Sequence, residues 1–260
     1  MGLIVITALI GVVVVSVVVL LAVAGLAVVQ RLVPLPLRQS HNDATGTIFA
    51  ALYVMFGVTM GFSLLLVWQQ YDASQRLAET EAAHVEALYQ LAGGLPEPER
   101  GQLRDLAASY ARVVVEEEWP LMAQGRTSPR AEELAAELRS SIRDFQPRTE
   151  AEQALQSEGL TQVGDLDEVR ALRLLEVREG FPPILWVVLV VGSTITVTFT
   201  YLFGMETIWL HRLAVAALTV VVSLILYTVS VLEYPFNDRA QVRPEAFEVV
   251  LTEIEEDDDQ

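Results

Sequence analysis

Apolar and polar residues are segregated along this chain in long blocks. Leu3 to Val29 carries no charge, with Thr7 and Ser16 as its polar interruptions. Ala44 to Trp68, Pro183 to Gly204 and Leu213 to Leu232 are also free of charged residues. A helix that crosses the hydrocarbon layer needs roughly 20 apolar residues, and each run is long enough. Backbone polar groups must be satisfied internally in lipid, so such runs form helices or closed barrels. Barrel strands would be about ten residues long with period-two alternation, which none of the runs shows. The pattern predicts an all-α polytopic membrane protein with four transmembrane helices. The first run lacks a basic flank and a cleavage site, so it is expected to stay as an anchor and first helix.

Between the second and third runs, the polar segment keeps a helical rhythm. Leu77, Val85, Leu88 and Leu91 recur at helical intervals, so the second membrane helix is expected to continue beyond the bilayer. Gly93-Gly94-Leu95-Pro96 should end it. A helix is expected from Glu99 to Glu118, stopping before Pro120, and another after Ser128-Pro129 to Phe145. The region from Glu150 to Glu179 should be interrupted near Gly159 and Gly164, with Asp165 or Asp167 capping its last helix. Four segments result: 1–68, membrane helices 1 and 2 with a short outer loop; 69–182, a polar helical layer; 183–233, membrane helices 3 and 4; and 234–260, a C-terminal segment with an acidic tail.

Charge then orients the molecule. The 260 residues carry a net charge of −17 although 52% are hydrophobic, and all 17 basic residues are Arg. Arg76, Arg170, Arg173, Arg178, Arg239 and Arg243 lie near helix ends on one side, against Arg31, Arg38 and Arg212 on the other. Basic residues mark the cytoplasmic side, so both termini and the polar layer are expected in the cytoplasm of a cell-membrane protein. The amphipathic polar helices should pack on one another, and would also offer contacts for a ring of subunits. Glu116-Glu117-Glu118 reads as a solvated charge run, and Glu255 to Asp259 as a disordered tail.

Chemistry of the enzymatic kind is not visible. The sequence has no cysteine, GxxxxGK[ST], GxGxxG or HExxH. His41, His84 and His211 are far apart, so no catalytic or metal site is expected, and no cofactor. The acidic balance argues against a nucleic-acid partner, and acid density without ligand spacing argues against calcium. No Asp, Glu, Arg or His sits deep in a membrane run, which argues against a proton-coupled transporter.

Polar and aromatic positions near or inside the runs remain as candidates. Ser193, Thr196 and Thr200 share one helix face, either for helix packing or for a water-filled path. Phe49, Tyr53, Phe56 and Met60 recur at helical spacing on the second membrane helix, either as packing or as a hydrophobic pore constriction. His41, Asn42 and Asp43 precede that helix. An Asn or Asp there can cap the first turn, and the three would rim the outer mouth of any central pore.

Longer motifs carry a family resemblance. HNDATGTIFAALY at 41–53, VWQQYDA at 67–73, GLPEPER at 94–100, VVEEEWP at 114–120, FTYLFGM at 199–205 and EYPFNDRAQVRPEAF at 233–247 make the chain similar to bacterial bestrophin-like membrane proteins. Bestrophins proper are pentameric anion channels with four membrane helices per subunit around one central pore, and with termini and a helical domain in the cytosol. The resemblance implies a homo-oligomer, with a pentamer as the family pattern, and small anions as the permeating species. It aligns Glu233, Pro235, Phe236 and Asp238 with the bestrophin turn after the fourth membrane helix. It also implies a pore neck on the second membrane helix, for which Phe49, Tyr53, Phe56 and Met60 are the candidates. The alternative is a non-conducting scaffold or sensor that binds a partner protein through its acidic helices.

Overall fold

The computed structural model describes residues 2–40, 42–177, 180–236 and 242–258. Among them, regular structure is helical throughout: α1 (Gly2–Leu32), α2 (Leu35–Gln39), α3 (Asn42–Ala92), α4 (Glu99–Val113), α5 (Trp119–Met122), α6 (Pro129–Asp144), α7 (Glu150–Glu176), α8 (Pro183–Phe199), α9 (Ile208–Leu232) and α10 (Glu245–Asp258). A π-helical turn (Val114–Glu118) joins α4 to α5, and a 3-10 turn (Thr200–Leu202) follows α8. Four of these helices are long and apolar enough to cross a membrane. The chain divides into two compact units, residues 1–69 with 181–233, and residues 70–180 with 234–260.

The first unit holds the membrane helices. α1 and α9 lie side by side, and glycines let aromatic rings reach α1. A Cβ on Gly11 would stand 2.6 Å from the Tyr227 ring, and one on Gly25 would stand 3.2 Å from that of Tyr201. Both tyrosines donate to main-chain carbonyls of α1, Tyr227 to Thr7 and Tyr201 to Ala22 at 2.8 Å. A helical carbonyl has a second lone pair to accept such a bond. Most hydroxyls in the spans bond to the carbonyl four residues earlier, as Thr59, Ser63, Thr194 and Thr219 do.

The second unit is a water-soluble type of core built from amphipathic helices. Leu88 of α3, Leu103 and Tyr110 of α4, Leu134 and Leu138 of α6, Leu166 of α7 and Phe247 of α10 are all buried. α3 ends at Gly93-Gly94 as its sequence demands. Ser128 caps α6, accepting from the Ala131 N–H at 3.3 Å.

Four expectations for this unit are corrected. α7 is uninterrupted, because Gly159 is there for proximity: an added Cβ would sit 3.1 Å from Ile142. Its cap is Thr149, which accepts from the Glu152 N–H at 3.1 Å, while Asp165 and Asp167 lie mid-helix. Helical structure also continues through Pro120, since the proline occupies the first turn of α5 and has no need of an N–H there. Finally, the acidic C-terminal run is helical as far as Asp258. Phe247, Val250 and Ile254 bury one face of α10, and Asp257 pairs with Arg104 at 3.0 Å.

Candidate functional site

In the membrane unit, α3 presents two unlike faces. Phe49 stacks on Phe199 at 6.1 Å between centroids and meets Phe203 edge-on. Phe56 covers Gly192, where a Cβ would be 2.3 Å from the ring. Met60 is 3% exposed, among Leu189, Val222 and Val229. Of the stripe expected to line a pore, these three are therefore packed against the chain's own helices, and Tyr53 keeps about half of its surface (47%). The opposite face is bare. Val54, Val58 and Phe62, one turn apart, are all exposed, and Gly57 and Gly61 have nothing within 4 Å of an added Cβ.

On α8, Ser193 and Thr196 are buried within the chain, with hydroxyls that have no partner. Thr200 is half-buried and donates to the Val197 carbonyl at 2.5 Å. Its own carbonyl accepts from His211 Nε2 at 3.0 Å. The expected cap at Asn42 is corrected: its side chain does not serve its own helix. The Asn42 amide accepts from the Gly204 N–H at 2.9 Å and donates to the Gly204 carbonyl at 3.2 Å. Asp43 lies exposed in the first turn of α3, where its charge suits the positive helix end. His41 lies outside the described residues. Glu233, at the end of α9, accepts from the Trp186 indole at 3.2 Å.

The second unit contains a buried charged site. Against the expectation of a solvated run, Glu118 is fully buried, while Glu116 and Glu117 stay exposed. The π-helical turn explains this, because its wider winding changes which side chains face inward. Glu118 meets Glu81 of α3 and Arg170 and Arg173 of α7, all buried. Arg170 grips both Glu118 oxygens at 2.7 Å. Arg173 bonds Glu81 at 2.5 and 2.8 Å and Glu118 at 2.8 Å. Tyr110 donates to Glu81 and accepts from Arg170 at 3.0 Å. Trp119 stacks over Arg173, 5.3 Å from ring centroid to guanidinium carbon, and its indole donates to the Val242 carbonyl at 2.8 Å. Phe236 packs edge-on against Trp119, and the Pro235 carbonyl accepts from the Val242 N–H at 3.0 Å. Asp238 lies outside the described residues.

Two cations and two carboxylates make this core electrically neutral. Burial alone would push the Glu118 carboxyl up, but Arg173 and Arg170 outweigh it and hold it below the usual carboxylate range. Burial, reinforced by Glu81, pushes the Tyr110 hydroxyl well above its ordinary value, so it remains a donor. A depressed carboxyl stabilises the fold fully above its unfolded pKa, about 4.3. That contribution is lost as pH falls through the lower folded value. Unfolding of this unit, followed by limited proteolysis, is therefore expected to set in below about pH 4. Glu118→Gln should flatten this acid limb.

An open cleft of about 710 Å³ in the same unit is lined by Glu97, Glu99, Glu137, Asp144, Glu152 and Arg148, among others. No group of three metal-ligating side chains occurs among the described residues. The chemistry on view is ion pairing and packing.

Comparison with known proteins decides the family. The model of the bestrophin-like domain matches residues 16–247. The chain belongs to the bestrophin-like family. Its fold agrees: a bacterial bestrophin homolog from Klebsiella pneumoniae superposes with a TM-score of 0.69 at 11% identity, covering 92% of this chain and 96% of that one. A leucine-to-threonine variant of that homolog gives 0.73 at 11% identity, over 95% and 99%. A further crystal structure, described as a membrane protein with a proline-to-alanine substitution, gives 0.71 at 11%, over 93% and 97%. No curated protein matches the sequence. This bestrophin-like chain is thus a multi-pass membrane protein with the bestrophin fold. The buried Glu-Arg core was legible only as charges at apolar positions: Arg170 and Arg173 continue the spacing of Val163 and Leu166.

Proposed function

We propose that copies of this chain form a ring in the cell membrane, a pentamer as in bestrophins, around a central passage for small anions. The observation that carries this reading is the bare face of α3. Val54, Val58 and Phe62 form an apolar stripe with no cover from the chain's own helices. Gly57 and Gly61 beside it permit close approach of a helix from another copy. A ring of such stripes makes a hydrophobic constriction, which gates by wetting and dewetting. The Phe49, Tyr53, Phe56 and Met60 stripe serves this neck from behind, holding α3 against α8. Termini and the acidic unit lie on the cytoplasmic side. His41, Asn42 and Asp43 rim the other mouth.

No Asp, Glu, Arg or His occurs between Asp43 and Asp72 of α3, which fits passive flow better than coupled transport. The test is chloride efflux from proteoliposomes made with the purified full chain, alongside the mass of the particle in nanodiscs. A multimer whose addition collapses a chloride gradient is expected. A monomer, or a multimer with no efflux, overturns the reading and leaves a scaffold.

A further inference from the structure

The bare stripe on α3 ends in a polar side chain. Val54, Val58, Phe62, Leu65 and Gln69 stand four, four, three and four residues apart, the spacing of one helix face. All of them are exposed. At 3.6 residues per turn, Gln69 lies within about 20° of both Val58 and Phe62, and about 10 Å beyond Phe62 along the axis. Thr47, eleven residues before Val58, stands at the other end of the same face and is exposed too.

Other side-chain donors between Thr47 and Gln69 are spent or turned away from this face. Thr47 gives its hydroxyl proton to the Asp43 carbonyl at 3.1 Å, and Thr59 and Ser63 give theirs to carbonyls of their own helix. Tyr53 and Trp68 sit about 140° and about 80° around the helix from Val58. Among the described residues, nothing pairs with the Gln69 amide. Its –NH2 end carries two N–H donors and no charge. Hydrocarbon offers an amide no partner, so the amide belongs where the stripe meets water. An ion that has crossed a dry constriction needs donors to replace lost hydration, yet must be held weakly enough to leave. A neutral amide meets both conditions.

We propose that Gln69 is the anion-coordinating residue of the passage: amide N–H groups, one side chain from each copy, meet the permeating ion at the inner end of the Val54, Val58 and Phe62 constriction. This role rests on the anion-passage reading and adds to it the group that touches the ion. A carboxylate at the same place would repel anions and gather cations, because one sign of charge lining a narrow mouth changes the local ion concentration strongly.

Chloride current through the purified full chain, referred to the number of assembled oligomers, tests this role. Gln69→Met keeps the length of the side chain and removes its donors, so current per oligomer should fall several-fold. Gln69→Glu should lower the chloride-to-sodium permeability ratio by about tenfold or more. Gln102→Glu makes the same charge change at an exposed position of α4 and should leave the ratio as it was. An unaltered chain that passes chloride, with Gln69 variants indistinguishable from it, overturns the role of Gln69 and leaves the passage standing. A silent unaltered chain overturns both. Should Gln69→Glu fail to assemble, Gln69→Met decides alone.

Discussion

Replacing Arg173 with methionine is expected to destabilise the unit formed by residues 70–180 and 234–260 by about 3–5 kcal/mol. The size follows from what is left behind. Arg173 is fully buried and bridges Glu81 to Glu118 through three charge-assisted bonds. Its removal leaves two buried carboxylates with one guanidinium, and Arg170 already holds both oxygens of Glu118. Domains of this kind have total stabilities of about 5–15 kcal/mol, so the loss is a large share. Urea midpoints read by limited proteolysis would measure it. The exposed pair Arg143 and Asp144, 3.0 Å apart, is the control. Arg143→Met should change the midpoint very little, because water screens an exposed pair. Replacing both cations and both carboxylates together by apolar residues should cost less than Arg173→Met alone, because no unpaired charge would remain. A midpoint for Arg173→Met equal to that of the control would show that the buried network does not hold the unit together.

Truncating the bare face of α3 is expected to have the largest effect on conduction. Val58→Ala and Phe62→Ala widen and soften the proposed constriction, so currents per oligomer should change several-fold. Met60→Ala should act differently although it is on the same helix. Met60 lies between α3 and its own neighbours, so its loss should cost about 2 kcal/mol or more of stability and leave current per folded oligomer nearly unchanged. Current at Met60→Ala altered as strongly as at Phe62→Ala would return the lining to the aromatic stripe.

These contrasts show where sequence was sufficient. The four apolar runs declare themselves because lipid tolerates little else, and Gly93-Gly94 and Ser128-Pro129 are local signals with local consequences. Periodicity found the Phe49, Tyr53, Phe56 and Met60 face, but a stripe has no label that says packing or pore. Gly192, on another helix, settled that Phe56 points inward. Glu118 was hidden for a different reason, since a π-helical turn shifts the register that a count by 3.6 residues assumes. On α10, acid density concealed the spacing of Phe247, Val250 and Ile254, three apolar positions on one helical face. Gly159 and Gly164 suggested breaks in α7, yet tertiary packing overrides weak propensity. The loop-end bonds of Arg38 to Phe203 and of Asn42 to Gly204 join residues more than 160 positions apart, beyond the reach of any local pattern.

The most direct test of the central claim is the reversal potential of single channels in a planar bilayer under an imposed chloride gradient. An anion passage predicts a reversal potential that follows the chloride equilibrium potential as the gradient is varied, and that is indifferent to the choice of cation. Reversal that follows the cation gradient, or bilayers that stay silent with correctly assembled protein, would contradict it.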